Sequence, residues 1–280
     1  MTDTDNNKIS LIDLSVLPPE VTKELYGDLV QPTALNLGSI SGALTGVISN
    51  AFNSIRLWNV KQQLIYAQNV KKLEEGFNKI EDDSKSEIPL ELAAPIIEKL
   101  TYTSNSAISE MYINLLLKGA SKETIGIAHP GFINTVASLS HDEALILKYL
   151  FDNNMKSIPA VDLLVSSIIS DEDSRFFSDK TYSALPDMCN LDFPDNDNLY
   201  IHNLLGLGIL GKSEGREELD YEFIYTKLEN RLKLDKQDFL TRMTTQYGLS
   251  QFYNVDFFRN AYFITDYGIQ FLKACNETSK

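Results

Sequence analysis

The sequence predicts a mainly α-helical protein, with an N-terminal helical bundle followed by a winged-helix-like α+β C-terminal unit. Three observations carry this expectation. Apolar residues recur at helical intervals from Arg56 to Ile80 and again over 106–119. Ser140, with Glu143 three residues on, forms a capping-box signature directly before the apolar run ALILKYL. The chain then closes on an apolar helical stretch, clustered glycines, a charged stretch and AYFITDYGIQFLKAC, which reads as strand, turn and helix. At 280 residues, 43% hydrophobic and 10% aromatic, the chain can bury a sizeable core as one large domain or two of ordinary size.

Residues 1–17 read as a loose leader. A helical domain over 18–138 follows. Pro18 and Pro19 open a short helix ending near Val30, because proline suits a first helical turn. From Arg56 to Ile80, Leu57, Leu64, Ala67, Val70, Leu73 and Phe77 fall on one side of a charged helix, and EDDSKSE at 81–87 is a solvated linker. Helices are expected over 89–101, 106–119 and 130–138, the second burying Ile108, Met111, Tyr112, Leu115 and Leu116. The winged-helix-like domain spans 139–280 and carries insertions. Its first helix starts at Ser140, residues 153–198 are loose and rich in Asp, Asn, Ser and Pro, and a helix covers about 196–207. The short closing strand is Tyr262 to Thr265.

Within 33–55 lies an uncharged helix, LNLGSISGALTGVISNAF at 35–52, in which Gly38, Gly42 and Gly46 recur every four residues. One face carries Leu44, Ile48 and Phe52 among other apolar residues; the opposite face is small and polar. Two readings stand. Small residues let another helix backbone approach closely inside a bundle, or the segment leaves the bundle and enters a membrane on activation. Replacing Gly42 by Leu disrupts either arrangement by holding backbones apart.

The net charge is −14, and the acidity is spread through both halves of the chain. Free nucleic acid and anionic membrane are repelled at long range, so a nucleic-acid partner needs a local basic patch. Cys189 and Cys275 are the only cysteines, without metal-ligand spacing, which fits a reducing cytoplasmic compartment. The N-terminus has no secretory pattern, and no run of apolar residues is long enough for an ordinary membrane span.

GLGILGKS at 206–213 matches the phosphate-loop pattern G-x-x-x-x-G-K-[ST]. Such a loop needs a parallel strand before it and a helix after it, whose N–H groups hold the phosphates. Here Leu204, Leu207 and Leu210 sit three apart, favouring a helix before the motif, and Glu214, Glu217, Glu218 and Asp220 crowd the site with negative charge. The match is therefore read as chance: Gly206 and Gly208 end a helix, and Gly211 permits a turn into a hairpin.

No other catalytic or metal motif is present, and no cofactor or enzyme activity is expected. His129 reads as a loop or capping residue, His141 as a surface residue and His202 as partly buried. Asn203, Lys212, Arg216 and Arg231 are the candidate nucleic-acid contacts, but acids interrupt them, so a protein-interaction or self-association role outranks DNA recognition.

Several stretches together resemble a bacterial family named abortive infection alpha. They are YGDLVQP (26–32), the glycine-bearing segment, PIIEKLTYT (95–103), EMYINLLLKG (110–119), AHPGFI (128–133), LSHDEALILKYL (139–150) and ITDYGIQFLKAC (264–275). The resemblance departs at 153–198 and 213–260. It implies phage defence, in which the infected cell stops growing or dies before the phage completes its cycle, and it carries over no catalytic residues. The partner it leaves open is a phage or host protein, a second copy of the chain or a membrane; a winged-helix transcriptional regulator is the alternative.

Overall fold

The computed structural model describes residues 60–167, 175–213, 221–247 and 253–276. The glycine segment, with Gly38, Gly42, Leu44, Gly46, Ile48 and Phe52, lies outside them, as does Arg216. The chain is mainly helical with a small four-stranded antiparallel sheet. It divides into two compact units, residues 1–134 and 135–280.

In the first unit, helices α1 (Val60–Asn78), α2 (Leu90–Tyr102) and α3 (Ser106–Gly119) pack against one another. The apolar spacing that predicts them also fills their core. Tyr66, Val70, Leu73 and Phe77 from α1 are buried, with Leu92, Ile96, Ile97 and Leu100 from α2 and Met111, Tyr112, Leu115 and Leu116 from α3. Asn69, 5% exposed, donates its side-chain amide to Leu100 O at 2.9 Å and Thr103 O at 3.2 Å, satisfying carbonyls left open at the end of α2. Asn105 caps α3 by accepting from Ile108 N–H. The 81–87 stretch is more than a solvated linker. It holds a short 3-10 turn at Asp82–Ser84, and the chain around it hydrogen-bonds through Ser84 and Ser86 to residues 120–122. Helix α4 (Gly131–Ala137) follows His129, whose Nδ1 accepts from Gly131 N–H at 3.0 Å in the expected capping role.

In the second unit, α5 (His141–Asp152) begins with both halves of the capping box: Glu143 Oε2 accepts from Ser140 N–H at 2.6 Å, and Ser140 Oγ from Glu143 N–H at 3.3 Å. Strands β1 (Ser157–Ser167) and β2 (Arg175–Ser183) then replace the loose region expected at 153–198. After a short helix α6 (Leu185–Met188) come α7 (Asp197–Gly206), β3 (Leu210–Ser213), α8 (Glu222–Tyr247), β4 (Tyr253–Ile264) and α9 (Asp266–Cys275). The sheet order is β2-β1-β4-β3, with β1 and β4 paired from Ser157↔Phe263 to Ser167↔Tyr253.

Two features hid β1 from a pattern reading. Pro159 stands in a central strand, where proline normally costs a ladder hydrogen bond. Its carbonyl accepts from Ala184 N–H at 3.0 Å, on the β2 side, where the paired register begins only at Ala160; its missing N–H therefore falls beyond that ladder. Asp162 puts a charge into an apolar run and is neutralised by partners described below. The short strand expected at Tyr262–Thr265 is the end of the much longer β4, and the charged stretch before it contains α8, whose Tyr225, Leu228 and Leu232 pack with Val161 and Ala184.

Candidate functional site

The GLGILGKS segment takes apart the phosphate-loop geometry. Gly206 is the last residue of α7, Gly208 has a φ of 72° that lets the chain leave the helix, and β3 begins at Leu210. A helix precedes the motif where a phosphate loop needs a strand. Gly211 is no turn residue either: it lies inside β3 opposite Phe263, and a Cβ there would stand 2.5 Å from that ring. Instead of opening a hairpin, β3 pairs with the distant β4.

Lys212 points into a cluster of buried polar groups on the sheet. Successive strand residues face opposite sides, so Val161 joins the cluster under α8 while Asp162 faces away from it. Asp162 is 2% exposed, and both its oxygens are engaged. Oδ1 accepts from Thr181 Oγ1 at 2.7 Å; Oδ2 accepts from Asn260 Nδ2 at 2.6 Å and from Lys212 Nζ at 3.0 Å. Tyr262 lies beside them with its hydroxyl 3.3 Å from Thr181 Oγ1, and burial pushes its acidity down, raising its pKa. The five residues come from all four strands: β1, β2 and β3 supply Asp162, Thr181 and Lys212, and β4 supplies both Asn260 and Tyr262. A buried carboxylate that accepts from one side chain of each of the other three strands acts as a clasp closing the sheet. The single charge within IPAVDLLV is the sequence signal that could have found it.

A second buried carboxylate organises the loop between α6 and α7. Asp142, in the first turn of α5 and 2% exposed, accepts from Asp192 N–H and Phe193 N–H, each at 2.9 Å, and from the Tyr200 hydroxyl at 2.6 Å. Burial opposes its charge, but the Tyr200 hydroxyl, the two backbone N–H groups and nearby His141 outweigh that and hold its pKa below the usual carboxylate range. Burial and Asp142 in turn push the Tyr200 phenol up to about 12. Negative charge is also favoured by the helix dipole at the start of α5, but that accounts for only part of the role of Asp142.

Asn203 and Arg231, the other predicted contacts among the described residues, are engaged within the chain. Asn203 donates to Ser138 O at 3.0 Å and Glu143 Oε1 at 2.8 Å, tying α7 to the start of α5. Arg231 pairs with Asp187 at 3.4 Å and donates to Ser183 O. Arg259 binds Glu229 and Glu222 at 2.6 and 2.7 Å and lies 5.3 Å from the Tyr225 ring, joining β4 to α8. His202, expected partly buried, is exposed on α7 with Nδ1 2.7 Å from Asn198 O. Among the described residues, no group of three or more His, Cys, Asp or Glu gathers to hold a metal, and no helix is long and apolar enough to cross a membrane.

No curated protein and no solved structure matches the chain. The family model of abortive infection alpha matches residues 61–275, running through 153–198 and 213–260, the two stretches at which the sequence resemblance is read as departing. That span covers most of the chain, and with it β1, β2, α8 and β4. The chain therefore belongs to the abortive infection alpha family, whose description points to phage defence.

Proposed function

We propose that the protein carries out abortive infection as a non-enzymatic effector, binding a phage or host protein or a second copy of itself. The resting protein is cytoplasmic, and the uncharged segment 33–55 is its helix-packing or membrane-associating element on activation. The observation that carries the defence reading is the family match over 61–275. The non-enzymatic part is supported by how the chemically capable groups are used: Asp162, Lys212, Asp142 and Tyr200 bind one another and the backbone. A winged-helix regulator is the second reading, resting on the helices and antiparallel sheet of residues 139–280. It is weakened because Asn203, Lys212 and Arg231 already have intramolecular partners.

The test is expression with and without phage, following membrane potential, DNA integrity and translation together. Growth arrest before phage release is expected, with protection lost in a Gly38→Leu/Gly42→Leu/Gly46→Leu variant and an early fall in membrane potential if the segment enters the bilayer. Protection that requires nucleotide turnover, and is lost in Lys212→Ala protein that melts like wild type, overturns the non-enzymatic reading. Salt-sensitive DNA binding lost on charge reversal at Arg216 favours the regulator.

A further inference from the structure

The stretch from Asp192 to Leu199, a loop that runs into the first turn of α7, is hydrogen-bonded at both ends and yet presents two large apolar side chains to solvent. Phe193 is 65% exposed and Leu199 64% exposed. Exposed apolar side chains are ordinary when scattered singly. These two flank one short 3-10 turn, Pro194–Asn196, whose position is fixed from both ends. On one side Asp142 accepts the Asp192 and Phe193 N–H groups, and the Tyr200 hydroxyl lies 3.2 Å from Phe193 O. On the other, Asp197 at the start of α7 accepts from Ser183 Oγ at 2.8 Å. A loop of this kind, braced by two buried carboxylates, has already lost the backbone entropy that a flexible loop loses on binding.

Charge selects the occupant. Asp192 and Asp195 are exposed beside Phe193, with His141 Nε2 3.8 Å from Asp192 Oδ2, and no Lys or Arg occurs in the sequence between Lys180 and Lys212. A second copy would bring the same acids against these, and a chain of net charge −14 is repelled by anionic lipid. A basic segment with apolar side chains meets both features: its apolar groups cover Phe193 and Leu199, and its cations face the aspartates.

We propose that the Asp192–Leu199 turn is a docking site for a basic, amphipathic segment of another protein. This deepens the reading of the protein as one that acts by binding.

The probe is a fluorescein-labelled Lys/Leu peptide of helical spacing, titrated with the full chain by anisotropy, beside the same peptide with Glu in place of Lys. The wild-type chain is expected to bind the Lys peptide and not the Glu peptide. Phe193→Ser/Leu199→Ser should raise Kd at least about tenfold with unchanged melting temperature, because both side chains are exposed. Asp192→Asn/Asp195→Asn should raise it roughly threefold and flatten its salt dependence. Glu91→Gln/Glu98→Gln, which removes exposed acids elsewhere, should change it by less than about twofold. Equal loss in that control, or unchanged binding in the Phe193/Leu199 variant, means general attraction to an acidic protein and overturns the site. Vesicle binding, or a dimer in sedimentation, lost in the Phe193/Leu199 variant overturns it in favour of lipid or of self-association. Protection from phage that depends on turnover would overturn the earlier reading while leaving these peptide results intact.

Discussion

Asp162 and Asp142 are each 2% exposed, and each is stabilised by a different supply of donors. Asp142 draws mainly on backbone N–H groups of a loop, Asp162 on three side chains from three other strands. Removing the second carboxylate is expected to be severe. Asp162→Ala leaves the buried Asn260 amide without this acceptor, takes the charge partner from Lys212 and should cost about 3–5 kcal/mol in urea unfolding. Lys212→Ala should cost less, about 1–3 kcal/mol, because that side chain is a third exposed. If Lys212 served a phosphate instead, its replacement would leave stability unchanged. The sequence displays both residues openly, but their relation is invisible in it: Asp162 and Lys212 are 50 positions apart, Asp162 and Asn260 98.

Elements governed by nearby residues were read best. The capping box at Ser140 depends on a residue three positions away, and the core of α3 on a repeat within one helix, so both are legible in a short window. Strands β1, β2 and most of β4 were not, because a strand is stabilised by a partner the local pattern does not contain. The long helix α8 was missed for another reason. Among its described side chains, Tyr225, Leu228 and Leu232, with Ile224 beside them, pack on the sheet, within a sequence that also carries many charged and amide residues. Element contacts also explain a glycine that sequence reading left unremarked. Gly268, in the first turn of α9, has no room for a Cβ, which would collide with the backbone carbonyl oxygen of Ile209. A backbone atom already bonded to Thr265 N–H cannot give way as a side chain can. Gly268→Ala is therefore expected to destabilise by about 1–3 kcal/mol, measured by chemical denaturation.

At the scale of the whole molecule, acid should loosen the second unit through Asp142. Its folded pKa lies below the unfolded value of about 3.9, so its stabilisation is complete above that value and is lost as pH falls through the folded pKa. A wild-type stability profile should accordingly fall below about pH 4. Asp142→Asn should lower stability by about 1–3 kcal/mol at neutral pH, since one loop N–H then faces an amide N–H₂, and should flatten the acid limb of the profile. An unchanged acid limb in that variant would remove Asp142 as its source. What the sequence by itself determined is the helical character of the chain, the positions of its strongly capped and periodic helices, and the family resemblance. It also placed a helix before GLGILGKS, as the structure does. Only the tertiary structure decided that the loose region is half of a sheet, that Lys212 closes that sheet on Asp162, and that Phe193 and Leu199 stand exposed on a braced loop. The physical reason is range: helix signals are complete within a few residues, whereas a sheet and its buried charges exist only once distant segments have paired.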